Sequence, residues 1–168
     1  MPIFKTGNMW TAFDEAALFL LTTNSTIKRN GALVMGRGIA RQARDRFPGL
    51  DSALGKQILN VCGNPSTLLR AGQGQYSLLV SPRWPEARLG AFQVKRHYSQ
   101  PASLELIRHS TTALCTWCVE HPNTLVHLNF PGIGNGRLRR EAVLPIVAHL
   151  PNQVTIWEYP PAGKENVL

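Results

Sequence analysis

Asn30 to Pro48 reads NGALVMGRGIARQARDRFP. Three glycines, Gly31, Gly36 and Gly38, stand immediately before a helical pattern. From Gly38 onward Ile39, Ala40, Ala43 and Phe47 fall on one helical face, with Arg41, Arg44 and Asp45 off it. Pro48-Gly49 then ends the helix. A glycine reaches φ > 0 and lets the backbone come close to a ligand. The unpaired N–H groups of a helix start face that ligand, and the helix dipole favours an anion there. Upstream, Ala16 to Thr23 (AALFLLTT) is a continuous apolar run, short for a helix and suited to a strand covered on both faces. Strand, glycine turn and helix in that order describe a phosphate site.

The same alternation continues outward. Ile3 to Thr6 reads as a first strand, and Met9 to Glu15 as a turn or short helix. A second helix is expected from Asp51, an N-cap type, with Leu54, Ile58, Leu59 and Cys62 inward. Strands are expected at Leu68-Leu69, Tyr76 to Val80, Ala91 to Val94, Thr124 to Phe130 and Val154 to Tyr159. Pro101 opens a long helix in which Leu104, Ile107, Leu114, Cys115 and Cys118 recur. A second glycine-rich loop, PGIGNG from Pro131 to Gly136, precedes a helix over Leu138 to Leu150 that contains Pro145. The pattern predicts a three-layer α/β/α sandwich with a mixed, largely parallel central sheet, one domain over 1–160 and a polar tail over 161–168. In such sheets ligands sit beyond the carboxyl ends of strands, and two phosphate-type loops fit a diphosphate.

Composition narrows the class. The chain has 168 residues, enough for one core, and 43% are hydrophobic. A formal net charge of +8 favours an anionic partner such as nucleic acid or a nucleotide, and a solvated basic surface accounts for it equally well. The three cysteines are an odd number, no secretory signal precedes them, and no apolar run approaches the ~18 residues of a membrane span. The expectation is a cytoplasmic protein with reduced thiols and no membrane partner. No feature sets an oligomeric state.

TTNSTIKRNGALVMGRGIARQARDRFPG resembles the first ligand loop of macrodomains, especially the single-domain bacterial and phage branch with MGxGIA before a helix ending in FP. FKTGNMW (Phe4 to Trp10) resembles the macrodomain opening. FQVKRHYSQPASLELI (Phe92 to Ile107) resembles the strand, Lys-Arg-His segment and helix of antitoxin macrodomains that strip ADP-ribose from DNA. FPGIGNGRLRREAV (Phe130 to Val143) resembles the second loop. The resemblance covers nearly the whole chain and implies an ADP-ribose pocket, with no cofactor and no metal. It implies that Asn8, in place of the family's aspartate, and Met9 hold the adenine. By the same resemblance Asn24 is expected near the distal ribose. Gly36, Arg37, Gly38, Ile39 and Ala40 are expected to cover the diphosphate and distal ribose, opposite Gly132, Ile133, Gly134, Asn135 and Gly136. Trp157 or Tyr159 is expected to pack on adenine, according to strand register.

The resemblance further implies that Lys95 is catalytic. An amine beside the anomeric carbon attacks it or stabilises the departing group once its pKa is lowered, and Arg96 and His97 are candidates to lower it. The alternative is a lysine that steers phosphates by charge alone. One departure stands out: where related enzymes place an aspartate, this chain has Gly136 and Arg139, and the nearest carboxylates in sequence are Glu105 and Glu141. Cys115-Thr116-Trp117-Cys118 lacks a second ligand pair at zinc spacing and reads as helix packing. His127, in an apolar strand, reads as a core histidine, and Trp84 as a packing anchor or lid. Arg137, Arg139 and Arg140 are candidate phosphate contacts beside the pocket or a solvated helix start. The expected activity is an ADP-ribosyl hydrolase acting on modified nucleic acid or protein. The alternatives are an ADP-ribose 1″-phosphate phosphatase and a non-catalytic reader of ADP-ribose.

Overall fold

A computed structural model describes residues 1–63, 74–82 and 88–160. The strand expected at Leu68-Leu69, Trp84 and the tail over 161–168 lie outside the described residues.

Strand β1 (Ile3–Thr6) leads through a 3-10 turn (Met9–Glu15) to β2 (Leu18–Thr23). Helices α1 (Gly38–Arg46) and α2 (Leu50–Cys62) follow, then β3 (Leu78–Val80) and β4 (Leu89–Gln93). The chain continues through α3 (Leu104–Glu120), β5 (Val126–Asn129), α4 (Arg140–Val147) and β6 (Val154–Glu158). These strands form one six-stranded sheet in the order β1-β6-β5-β2-β4-β3. All neighbours run parallel except the edge pair β3 and β4, so the sheet is mixed and largely parallel.

The apolar run of β2 is explained by burial on both sides. Phe19 and Leu21 pack into a core with Met9, Trp10, Ile39, Ala43, Leu54 and Ile58. Leu18 and Leu20 point the other way, into a core with Ile107, Leu114, Val143 and Val147. Helices α1 and α2 therefore cover one face, and α3 and α4 the other, which is the three-layer arrangement. Full burial of each such side chain is worth roughly 1.5–3 kcal/mol before conformational entropy is counted.

Boundaries moved where tertiary hydrogen bonds overrode local signals. Gly49, at φ 94, occupies the N-cap of α2, and Asp51 lies in the first turn. The long helix starts at Leu104 rather than Pro101, with Ser103 Oγ accepting from Leu106 N at 3.3 Å. The preceding backbone is held outside the helix: Ala102 N donates to Gly136 O and Ser103 N to Val94 O. Strand β3 begins two residues later than expected because Tyr76 N and Ser77 N both donate to Gln93 Oε1 instead of a ladder. Among the described residues, no helix is long and apolar enough to cross a membrane.

Candidate functional site

Parallel pairing puts the carboxyl ends of β1, β6, β5, β2 and β4 along one edge of the sheet. The segments that leave those ends enclose a cleft of about 1070 Å³. Four strand spacings separate β1 from β4, about 19 Å, so the cleft is an elongated trough.

Its middle is built by the two glycine loops. Asn24, at the end of β2, is buried and holds the first loop in place: its Nδ2 donates to Val34 O and its Oδ1 accepts from Thr26 N. The Tyr76 hydroxyl donates to Asn24 O, and burial keeps that hydroxyl protonated by pushing its pKa well above the ordinary value. Gly36 faces open space, with nothing within 4 Å of where a Cβ would stand. Arg37 is the N-cap of α1 and places no side-chain cap on it, which leaves the first N–H groups to the cleft. Gly38, at φ 58, approaches the second loop; a Cβ there would stand 3.4 Å from Asn135 Nδ2. In that second loop Gly132 and Gly134 take φ 78 and 65. Gly134–Gly136 forms a 3-10 turn closed by Arg137 N donating to Gly134 O at 3.0 Å.

One end of the trough is aromatic. Met9, Trp157 and Tyr159 line it together with Gly7. Trp157 and Tyr159 alternate onto the same side of the chain, so both reach the cleft. The Trp157 indole N–H donates to His127 Nδ1 at 2.9 Å, and Lys5 Nζ lies 5.4 Å from the ring centroid. Asn8 is exposed and is not part of the cleft wall. Its Oδ1 accepts from Trp10 N, capping the 3-10 turn, and from the Tyr159 hydroxyl at 3.2 Å.

Lys95 lies toward the opposite end, just past β4. It is half-buried, and Nζ donates to Tyr98 O at 3.1 Å. Burial lowers its pKa below the usual lysine value, and the charges of Arg137 and then Arg37 lower it further. Those cations belong to the two glycine loops. The expectation that Arg96 and His97 depress this lysine is thereby corrected. Arg96 instead donates to Gln75 Oε1, and its carbonyl accepts from Ser25 N and Oγ; His97 Nδ1 pairs with Ser99 Oγ. Glu105 lies 3.8 Å from His109 along α3, and Glu141 is exposed in the first turn of α4. Among the described residues, Glu158 is the one carboxylate that lines the cleft, and it is paired with Arg140 at 2.7 Å. It stands on β6, three strand spacings or about 14 Å from β4, too far to share a proton with Lys95.

No family model and no curated protein sequence matches the chain. Solved structures do. The chain is similar to the macrodomain of Thermus aquaticus DarG, at 23% identity and TM-score 0.67, covering 96% of this chain and 99% of that one. The macrodomain of Mycobacterium tuberculosis DarG gives 22% identity and TM-score 0.66 over 96% and 99%. Thermosipho africanus DarTG in complex with ADP-ribose gives 17% identity and TM-score 0.64, over 95% of this chain and 42% of that one.

The chain has the macrodomain fold.

Within this fold the segments singled out in the sequence converge from positions far apart in the chain. Met9, Asn24, the stretch from Gly36 to Ala40, Lys95, the stretch from Gly132 to Gly136 and Trp157 all line one cleft. Asn8 sits beside it with its amide oxygen already used. Asn129, Tyr98 and Gln42 also line it and were not anticipated. Asn129 carried a readable signal, since it ends a strand just before the second glycine loop. Its amide ties β5 to β2, accepting from Thr22 N and donating to Thr22 Oγ1. Arg137 was visible only as a basic residue, because its proximity to Lys95 is created by the fold. The Cys115 and Cys118 thiols both lie on α3, where burial pushes their pKa values up, that of Cys118 to about 11, which suits packing rather than thiolate chemistry.

Proposed function

We propose that this macrodomain binds ADP-ribose along the trough and is an ADP-ribosyl hydrolase. Adenine lies at the aromatic end against Trp157 and Tyr159. The diphosphate lies between the two glycine loops, where backbone N–H groups, the α1 start and the positive charges of Arg37 and Arg137 receive it. The observation that carries the reading is Lys95: a half-buried amine in the cleft wall, with two cations beside it. A lowered pKa raises the share of neutral amine, and the neutral form has the lone pair that attacks an anomeric carbon. In that step the Lys95 nitrogen bonds to the carbon, and the bond to the modified group breaks with its electron pair. The leaving group takes up a proton as the amine loses one, and water later restores the lysine. The net charge of +8 supports a nucleic-acid base as the modified group, with a protein side chain as the other candidate.

A second reading, a non-catalytic reader of ADP-ribose, is favoured by one feature: among the described residues, the one carboxylate lining the cleft is Glu158, already paired with Arg140. One experiment decides. Wild type and Lys95→Ala are incubated with ADP-ribosylated DNA, ADP-ribosylated protein and ADP-ribose 1″-phosphate, with calorimetric binding of free ADP-ribose measured in parallel. Release from one macromolecular substrate, lost in the variant with binding retained, is the expected result. Release that survives in the variant refutes the lysine mechanism. Binding without turnover establishes the reader, and turnover of the phosphate ester alone establishes the phosphatase.

A further inference from the structure

His127 is buried, 2% exposed, on β5 in the middle of the sheet. Its ring is nevertheless one bond away from the cleft. Nδ1 accepts the Trp157 indole N–H at 2.9 Å, and Trp157 forms the wall at the aromatic end. Accepting that bond fixes the tautomer: Nδ1 carries no proton, so the neutral ring bears its hydrogen on Nε2. Glu15 Oε1 lies 3.3 Å from Nε2, yet Nε2 finds no partner in hydrogen-bond geometry. On the neighbouring strands the register partners of His127 are Phe19 and Thr155, both uncharged. The charged groups acting on the imidazole are Glu15 from the 3-10 turn and Lys5 from β1.

We infer that His127 is the positioning residue for Trp157: by accepting the indole N–H it sets the ring plane that the cleft offers to a flat ligand ring, and it does so only when neutral. This rests on the proposed ADP-ribose site for the identity of that ring. The physical reason is donor–acceptor matching. A doubly protonated imidazole presents N–H against the indole N–H, two donors face to face, and Trp157 must turn away. Burial, with Lys5 in support, lowers the His127 pKa below the ordinary 6.5, against the opposing pull of Glu15. The neutral, ring-holding state therefore prevails at neutral pH and is lost on acidification.

The test compares wild type with His127→Leu, which removes the acceptor, and His127→Asn, whose amide oxygen takes the place of Nδ1. Two readouts are used. One is calorimetric affinity for ADP-ribose across pH 5 to 8. The other is the Trp157 indole N–H resonance in a proton–nitrogen spectrum, assigned by its loss in Trp157→Phe. Expected for His127→Leu is a roughly five- to tenfold weaker affinity at neutral pH, the equivalent of one lost hydrogen bond, with a shifted and faster-exchanging indole resonance. His127→Asn restores both and removes the acid-side weakening seen in wild type. An unchanged affinity and an unchanged resonance in His127→Leu overturn the inference. Failure of wild type to bind ADP-ribose overturns the proposed function instead, and the indole resonance alone then decides the positioning role. Should His127→Leu not fold, a wild-type indole resonance that does not titrate in acid overturns it.

Discussion

Gly132 and Gly36 sit in the two loops that face each other across the trough, and the same substitution should act on different observables at each. A Cβ at Gly132 would stand 2.7 Å from Ile107 Cδ1, 2.9 Å from Leu138 Cδ1 and 3.3 Å from Ala102 Cβ, at a backbone φ of 78. The left-handed conformation costs a side-chain-bearing residue about 1–2 kcal/mol. Overpacking adds about 1–3 kcal/mol, toward the low end here because two of the three neighbours are ends of flexible side chains. Gly132→Ala is therefore expected to lose about 2–4 kcal/mol, which for a chain of this length lowers the melting midpoint by roughly 6–12 °C. At Gly36 nothing lies within 4 Å and φ is not positive, so Gly36→Ala costs the fold nothing measurable. Its methyl projects instead into the space assigned to the diphosphate, with an expected tenfold or greater loss of ADP-ribose affinity, about 1.4 kcal/mol. Chemical denaturation and calorimetry on the two variants read both quantities. A wild-type unfolding midpoint for Gly132→Ala refutes the packing argument. Wild-type affinity for Gly36→Ala removes the first loop from the ligand wall.

Two further outcomes follow from the site. Arg137 holds the Lys95 pKa down by charge, so Arg137→Ala lets the ammonium persist to higher pH; a pH profile of ADP-ribose release should move to the alkaline side, and an acid-side move contradicts the electrostatic account. Asn129 makes two hydrogen bonds to Thr22 across β5 and β2, and Asn129→Ala is expected to lose about 1–3 kcal/mol in urea unfolding, because Thr22 N is left unpaired inside the sheet.

The fold was legible where patterning and burial agree. β1 and the α1 start fall where the sequence puts them, the first ended by Gly7-Asn8 and the second marked by a 3.6-residue apolar face after Gly38. Within the run over Ala16 to Thr23, Leu18–Thr23 forms a strand with both faces covered, which its unbroken hydrophobicity already implied. What escaped was set at a distance. The late start of α3 is dictated by Gly136 and Val94, and that of β3 by the Gln93 side chain. The cation nearest in consequence to Lys95 is Arg137, 42 positions away in sequence, rather than its neighbour Arg96. The histidine read as a core residue is one, and it also bears on the cleft through a bond that no linear pattern encodes.

The first described strand, β1, pairs with the last, β6, and the aromatic end of the trough lies at that junction. During synthesis the chain therefore carries both glycine loops and Lys95 before the aromatic wall exists. That wall is completed by the contact of greatest sequence separation in the sheet, the slowest kind to close. A nascent or truncated chain that lacks β6 carries the two glycine loops without Trp157. The aromatic end is thus the late-forming part of the described cleft.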